Sequence, residues 1–94
     1  MAIIDKSGKV YKFSPKANVL ADEYYTRALH VIVEKDCART GLLQRELQIG
    51  FMIALRIMEK LRDDGFIKWP SDDGRVPGEV FVDKIKASGL LNYN

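Results

Sequence analysis

Apolar and polar positions follow helical spacing through the middle of the chain and short alternating runs at either side. Tyr25, Ala28, Leu29 and Ile32 recur at i, i+3, i+4 and i+7, which lays one buried stripe along a helix. That helix is expected to start at Asp22, where Asp22 and Glu23 suit the positive end of its dipole, and to end near Glu34-Lys35-Asp36. After a very short extended stretch, Cys37-Ala38-Arg39, Thr40 is the expected cap of a second helix from about Gly41 to Leu47. Its inward residues are Leu42, Leu43 and Leu47. A third helix runs from about Phe51 to Asp63 and stops at Gly65, a residue favoured just past helix ends. Its core stripe is Ala54, Ile57, Met58 and Leu61, and Met52, Ile53, Arg56, Glu59 and Lys60 then fall outward or at the edge.

On either side the rhythm shortens. Ile3-Ile4 and Val10-Tyr11-Lys12-Phe13 flank the turn-rich Asp5-Lys6-Ser7-Gly8-Lys9, which predicts an N-terminal β-hairpin. Ser14-Pro15-Lys16-Ala17-Asn18 reads as a linker. Past the third helix, Phe66-Ile67-Lys68-Trp69 and Glu79-Val80-Phe81-Val82 enclose a polar Gly/Pro loop, again a β-hairpin. Three helices and a hairpin make an α+β, winged helix-turn-helix fold, with the N-terminal hairpin added. The expected division is an arm and linker over residues 1–20 and a winged-helix body over residues 21–94.

Composition narrows the class. At 94 residues and 47% apolar, the chain suits one domain with a modest core, not a disordered tail. Its longest apolar run, Phe51 to Leu55, is far below the roughly 20 residues that span a bilayer. Met1-Ala2-Ile3-Ile4 meets Asp5 without a cleavage pattern, so neither a membrane nor a secretory route is expected. Cys37 is the single cysteine, which excludes an internal disulfide and a cysteine metal cluster and fits a cytoplasmic protein. The net charge of +2 hides an uneven split. Residues 1–20 carry Lys6, Lys9, Lys12 and Lys16 against Asp5 alone, and the rest is near balance. A basic arm on a neutral body can bind a polyanion when its surface charges are segregated.

Enzyme chemistry finds little support, and neither a cofactor nor a metal is expected. Lys6-Ser7-Gly8-Lys9 lacks the upstream glycine and the Gly-Lys-Ser/Thr ending of a phosphate-binding loop. His30, the single histidine, lies seven residues before Cys37, and a partly buried side chain beside a small apolar one explains the pair better than a ligand set. Asp63-Asp64 and Asp72-Asp73 sit at a helix end and in a turn, where aspartate is common.

The stretch "LQRELQIGFMIALRIMEKLRDDGFI", Leu43 to Ile67, has the outline of a DNA-binding helix-turn-helix, with a tight turn at Ile49-Gly50. Two amphipathic helices around a glycine turn also occur in plain helical domains. The wing favours DNA, because Lys68 and Arg75 on a hairpin suit minor groove or phosphate, although solvation explains each singly.

Three segments carry a more specific likeness. "ARTGLLQRELQIGF", then "RIMEKLRDDGFI", then "GEVFV" resemble the gamma domain of the FtsK/SpoIIIE DNA translocases, over about Asp22 to Val82. The firmest points are Leu42-Leu43-Gln44-Arg45, Ile49-Gly50-Phe51, Arg56-Ile57, Glu59, Gly65 and Glu79-Val80. The resemblance implies a winged helix that reads a short G-rich site in double-stranded DNA to orient a translocase. It also implies contact with a tyrosine recombinase of the Xer type. This chain has no Walker motif, so the expectation is a free-standing gamma-like domain such as a phage, plasmid or other mobile element carries, or a bacterial relative of the family.

The departures fall on the reading helix. Where the family places Asn and Arg after its Gly-Tyr, this chain has Met52 and Ile53, and the family's wing arginine is Gly78. An arginine bidentate to guanine discriminates by about 1–3 kcal/mol, whereas Met and Ile offer apolar contact alone. Met52 and Ile53 therefore read in two ways. One is an altered DNA-reading face. The other is a packing, homodimer or partner surface shared with Tyr11 and Phe13 of the arm. For DNA the expected contacts are Thr40 with nearby helix-start amides, then Gln44, Arg45, Gln48, Arg56 and Lys60, with Lys68 and Arg75 from the wing.

Overall fold

A computed structural model describes residues 2–4, 10–12, 14–70, 76 and 78–91. The first helix, α1, spans Pro15–Lys35. It begins a full two turns before the expected Asp22, out of the stretch expected to be a linker. The reason is local: Ser14 is extended and accepts the Ala17 N–H on its side chain at 3.1 Å, and Pro15 occupies the first turn, where its missing N–H costs nothing. Asp36 ends the helix in the left-handed region, its N–H returning to the carbonyls of Ile32 and Val33.

Helix α2, Thr40–Leu47, and helix α3, Phe51–Asp63, follow as expected apart from the cap. Arg39, not Thr40, holds the extended position before α2, and it makes no side-chain cap bond; Thr40 is already helical. Gln48 turns left-handed at φ 53°, Ile49 donates back to the Gln44 carbonyl, and Gly50 opens α3. Leu29, Ile32, Leu43, Ile57, Met58, Leu61 and Ile85 are the largest fully buried side chains, so the stripes of the first three helices meet in one core.

The wing is where the expected fold class fails. Among the described residues after α3 there is no strand. Phe66 to Trp69 and Glu79 to Val82 meet only through an isolated bridge, Ile67 with Val80, while Gly78 pairs instead with Ala38. The Phe81 N–H closes back on the Phe66 carbonyl at 2.9 Å, and the chain turns at once into a fourth helix, α4, Val82–Ser88. Helix α4 buries Ile85 and ends on Gly89 at φ 78°. The sequence pattern assigned Val82 to a strand because Glu79 to Val82 borders a polar Gly/Pro loop, but Val82 opens α4, whose helical turn buries Ile85. Among the described residues the body is thus a small helical domain of four helices, not an α+β winged helix.

Ahead of it, Ala2–Ile4 (β1) and Val10–Lys12 (β2) pair antiparallel, with Ile3 opposite Tyr11. This is a two-stranded pairing of three residues a side. The expected turn over 5–9, and the loop positions 71–75 and 77, lie outside the described residues.

Gly78 is the tight point of the body. A Cβ there would lie 2.5 Å from the Lys68 carbonyl oxygen and 2.9 Å from that of Ala38, both backbone atoms that cannot swing aside. Gly78→Ala is expected to lower stability by about 1–3 kcal/mol in urea unfolding. Gly41→Ala, on α2 with nothing within 4 Å, is expected to be neutral or slightly stabilising. Equal unfolding midpoints for the two variants would contradict this packing.

Candidate nucleic-acid interface

Helix α3 does not lie open as a groove-reading helix would. Ala54, Leu55, Arg56, Ile57, Met58 and Glu59 are six consecutive buried residues, more than a helix with one solvent face can hold. Helix α2 and the core take one side. On a second side Leu55 packs with Met52 and half-buried Trp69, and the Arg62 guanidinium lies 5.0 Å from the Trp69 ring centroid. Helix α1 takes the third.

Three polar pairs join α1 to α3 in step. Arg56 Nε donates to Asn18 Oδ1 at 2.6 Å, Lys60 donates to Asp22, and the Tyr25 hydroxyl donates to Asp64. Residue numbers rise together on both helices by three or four per pair, so the two axes run parallel with facing edges. Arg56 is only 8% exposed, and its Nη1 donates to Glu59 Oε1 at 2.6 Å. Glu59 is 3% exposed, and its Oε2 is buried without a hydrogen-bond partner. Ala17, Ala21 and Ala28 on α1 and Ala54 on α3 are all buried.

The expected contact residues consequently separate. Arg45 and Gln48 are exposed near the C-terminal end of α2 with Gln44 half-buried beside them, and Arg39 is exposed at the opposite, N-terminal end next to half-buried Thr40. Lys68 is exposed past α3. Arg56 and Lys60, in contrast, point to α1, and Arg56 was expected at the edge only because a buried arginine cannot be inferred without its partners. Glu59 is misplaced for the same reason. Met52 and Ile53 are half-buried, one against Leu55 and the other against the main core, while Phe51 is 44% exposed at the start of α3. Arg75 and Phe13 lie outside the described residues, and Tyr11 is placed only as a strand residue.

Sequence reasoning takes Asp22 for a helix start, Tyr25 for the core stripe, Asp64 for a helix end and Asn18 for a linker, and pairs none of them with its partner across α1 and α3. The signal was present: Asn18 and Asp22 repeat the four-residue step of Arg56 and Lys60, but it is visible only if α1 is started at Ser14-Pro15. Among the described residues no cluster of three His, Cys, Asp or Glu side chains is placed to hold a metal. No described helix is long and apolar enough to cross a membrane.

Two helices joined by a short left-handed turn, with a third packed parallel to the second of them, define a small helix-turn-helix module. The family is specific. Residues 20–83 match the Ftsk gamma domain, and the chain belongs to that family. It is 43% identical over 63 residues to the DNA translocase FtsK of Clostridium acetobutylicum, which covers 67% of this chain and 8% of that protein. It is 40% identical over 63 residues to the DNA translocase FtsK of Clostridium tetani, with the same coverage. To the DNA translocase SftA of Bacillus subtilis it is 35% identical over 71 residues, 76% of this chain and 7% of that one. The chain therefore spans less than a tenth of these relatives' lengths. No solved structure matches it significantly.

Tyr25 reports on the α1–α3 contact. Burial, then its hydrogen bond to Asp64, then repulsion from Asp64 and Asp63 hold its hydroxyl far above the ordinary 10.0. The folded chain keeps a proton that the unfolded chain releases, so this contribution is intact below about pH 10 and is lost as pH climbs past it. Of the four tyrosines, one is expected to stay protonated in an absorbance titration until the fold opens. Ionisation of all four together near the ordinary value would contradict the contact.

Proposed function

We propose that this chain is a non-enzymatic module that binds double-stranded DNA, through a sequence- or structure-directed contact, in association with DNA translocation. The observation that carries the reading is membership of the gamma-domain family over residues 20–83, joined to an exposed polar edge on α2. That edge offers Arg39, Arg45 and Gln48, with Thr40 and Gln44 beside them, and leads to the exposed start of α3. Arginines fit phosphate and guanine as flat forks, and glutamines read adenine edges. Lys68 and Arg75 add cations beyond α3.

With Met52 and Ile53 at the start of the reading helix, recognition differs from a guanine-selective site. Phosphate contact sets affinity and apolar contact adds preference. The relatives act as DNA translocases by name, and a tie to Xer-type recombination follows from the resemblance in the same way. Work inside the cytoplasm is part of this reading.

A second reading is favoured by one feature, the exposed ring of Phe51 beside half-buried Met52. Such a patch suits a homodimer or another protein surface. The two readings part on salt. Binding to a random duplex through about 4–5 phosphates should weaken between about 50 and 200 mM salt with a log–log slope of about −4. Arg45→Ala should weaken it further. Absence of binding at low salt, with an assembly broken by Met52→Asp, would overturn the DNA reading in favour of a protein partner.

A further inference from the structure

The first two turns of α1 lie largely ahead of the segment shared with the family, which begins at residue 20. They nevertheless hold the two cations on the facing edge of α3. Asn18 takes the Arg56 Nε–H, Glu59 takes Nη1, and Asp22 takes Lys60. These are the donors a guanidinium and an ammonium would present to phosphate. Resting on the DNA-binding reading above, we propose that residues 15–22 form a clasp that competes with duplex DNA for Arg56 and Lys60. A closed clasp leaves the α2 edge as the contact, and an open one adds two cations spaced one helical turn apart.

The grip is uneven along α1, which is what lets such a clasp open. Past Tyr24, α1 is anchored by Leu29 and Ile32, both fully buried. Before it, the buried apolar side chains are Ala17 and Ala21, a methyl group each. Ends with little buried apolar area are the first to open locally. Unwinding two turns therefore disturbs little of the core, while Asn18 and Asp22 leave Arg56 and Lys60 together and Glu59 stays on Arg56. DNA then repays what the clasp gave, because a polyanion supplies acceptors to both cations at once. Helix α1 from Glu23 onward, and the core beneath it, stay in place through this exchange.

The experiment compares the full chain with Asn18→Ala/Asp22→Asn by fluorescence anisotropy on a random-sequence duplex, together with amide exchange of the unaltered chain with and without that duplex. An open state populated to about 10% weakens apparent affinity through the two cations about tenfold. The double variant is thus expected to bind about tenfold tighter, with a steeper salt slope, and amides of residues 18–22 to exchange faster when DNA is bound. Should the double variant not fold, Asp22→Asn alone, at an exposed position, is expected to tighten binding several-fold. Unchanged affinity in the variant, or added protection of residues 18–22 on DNA, overturns the clasp and leaves the DNA reading standing. Duplex bound by neither protein overturns both.

Discussion

A buried guanidinium organises this domain. Arg56 sits in the middle of α3 with almost no access to water, where an uncompensated charge would cost several kcal/mol. Its cost is met by position: Glu59 lies one turn along the same helix and Asn18 lies on α1. That requirement fixes the register of α1 against α3, and the Asp22–Lys60 and Tyr25–Asp64 pairs fall into step behind it. The buried Glu59 Oε2 without a partner shows how little slack the arrangement has.

A helix-turn-helix ordinarily lays its second helix in the major groove, with that helix's N-terminal residues on the base edges. Here the middle of α3 is enclosed by α1, α2 and the Trp69 segment, while Arg39, Arg45 and Gln48 are exposed along α2 and the start of α3 exposes the apolar Phe51. Met52 and Ile53 are half-buried at the start of α3, so their apolar character serves packing.

Much of the body was legible in the sequence. The 3.6-residue stripes of Leu29 and Ile32, of Leu43, and of Ile57, Met58 and Leu61 all lead to the core, and Gly65 at φ 77° marks the end of α3. The misses share one cause, which is tertiary context overriding a local pattern. Ser14-Pro15 reads equally as linker or helix start until something packs on the turn it opens. Glu79 to Val82 alternates like a strand, yet Gly78 is drawn to Ala38 and Ile85 is pulled into the core, so the strand never extends. Arg56 and Glu59 look like an exposed ion pair at i, i+3 because periodicity cannot show that a second helix lies over them.

The most direct test is the stability of Arg56→Met against that of Arg56→Met/Glu59→Leu, each by chemical unfolding. A buried pair predicts that the single variant loses about 3–5 kcal/mol, since it strands the Glu59 carboxylate, and that the double variant regains most of it. A single variant within about 0.5 kcal/mol of the unaltered chain, as exposed positions usually are, would show that Arg56 lies in water and would contradict the account.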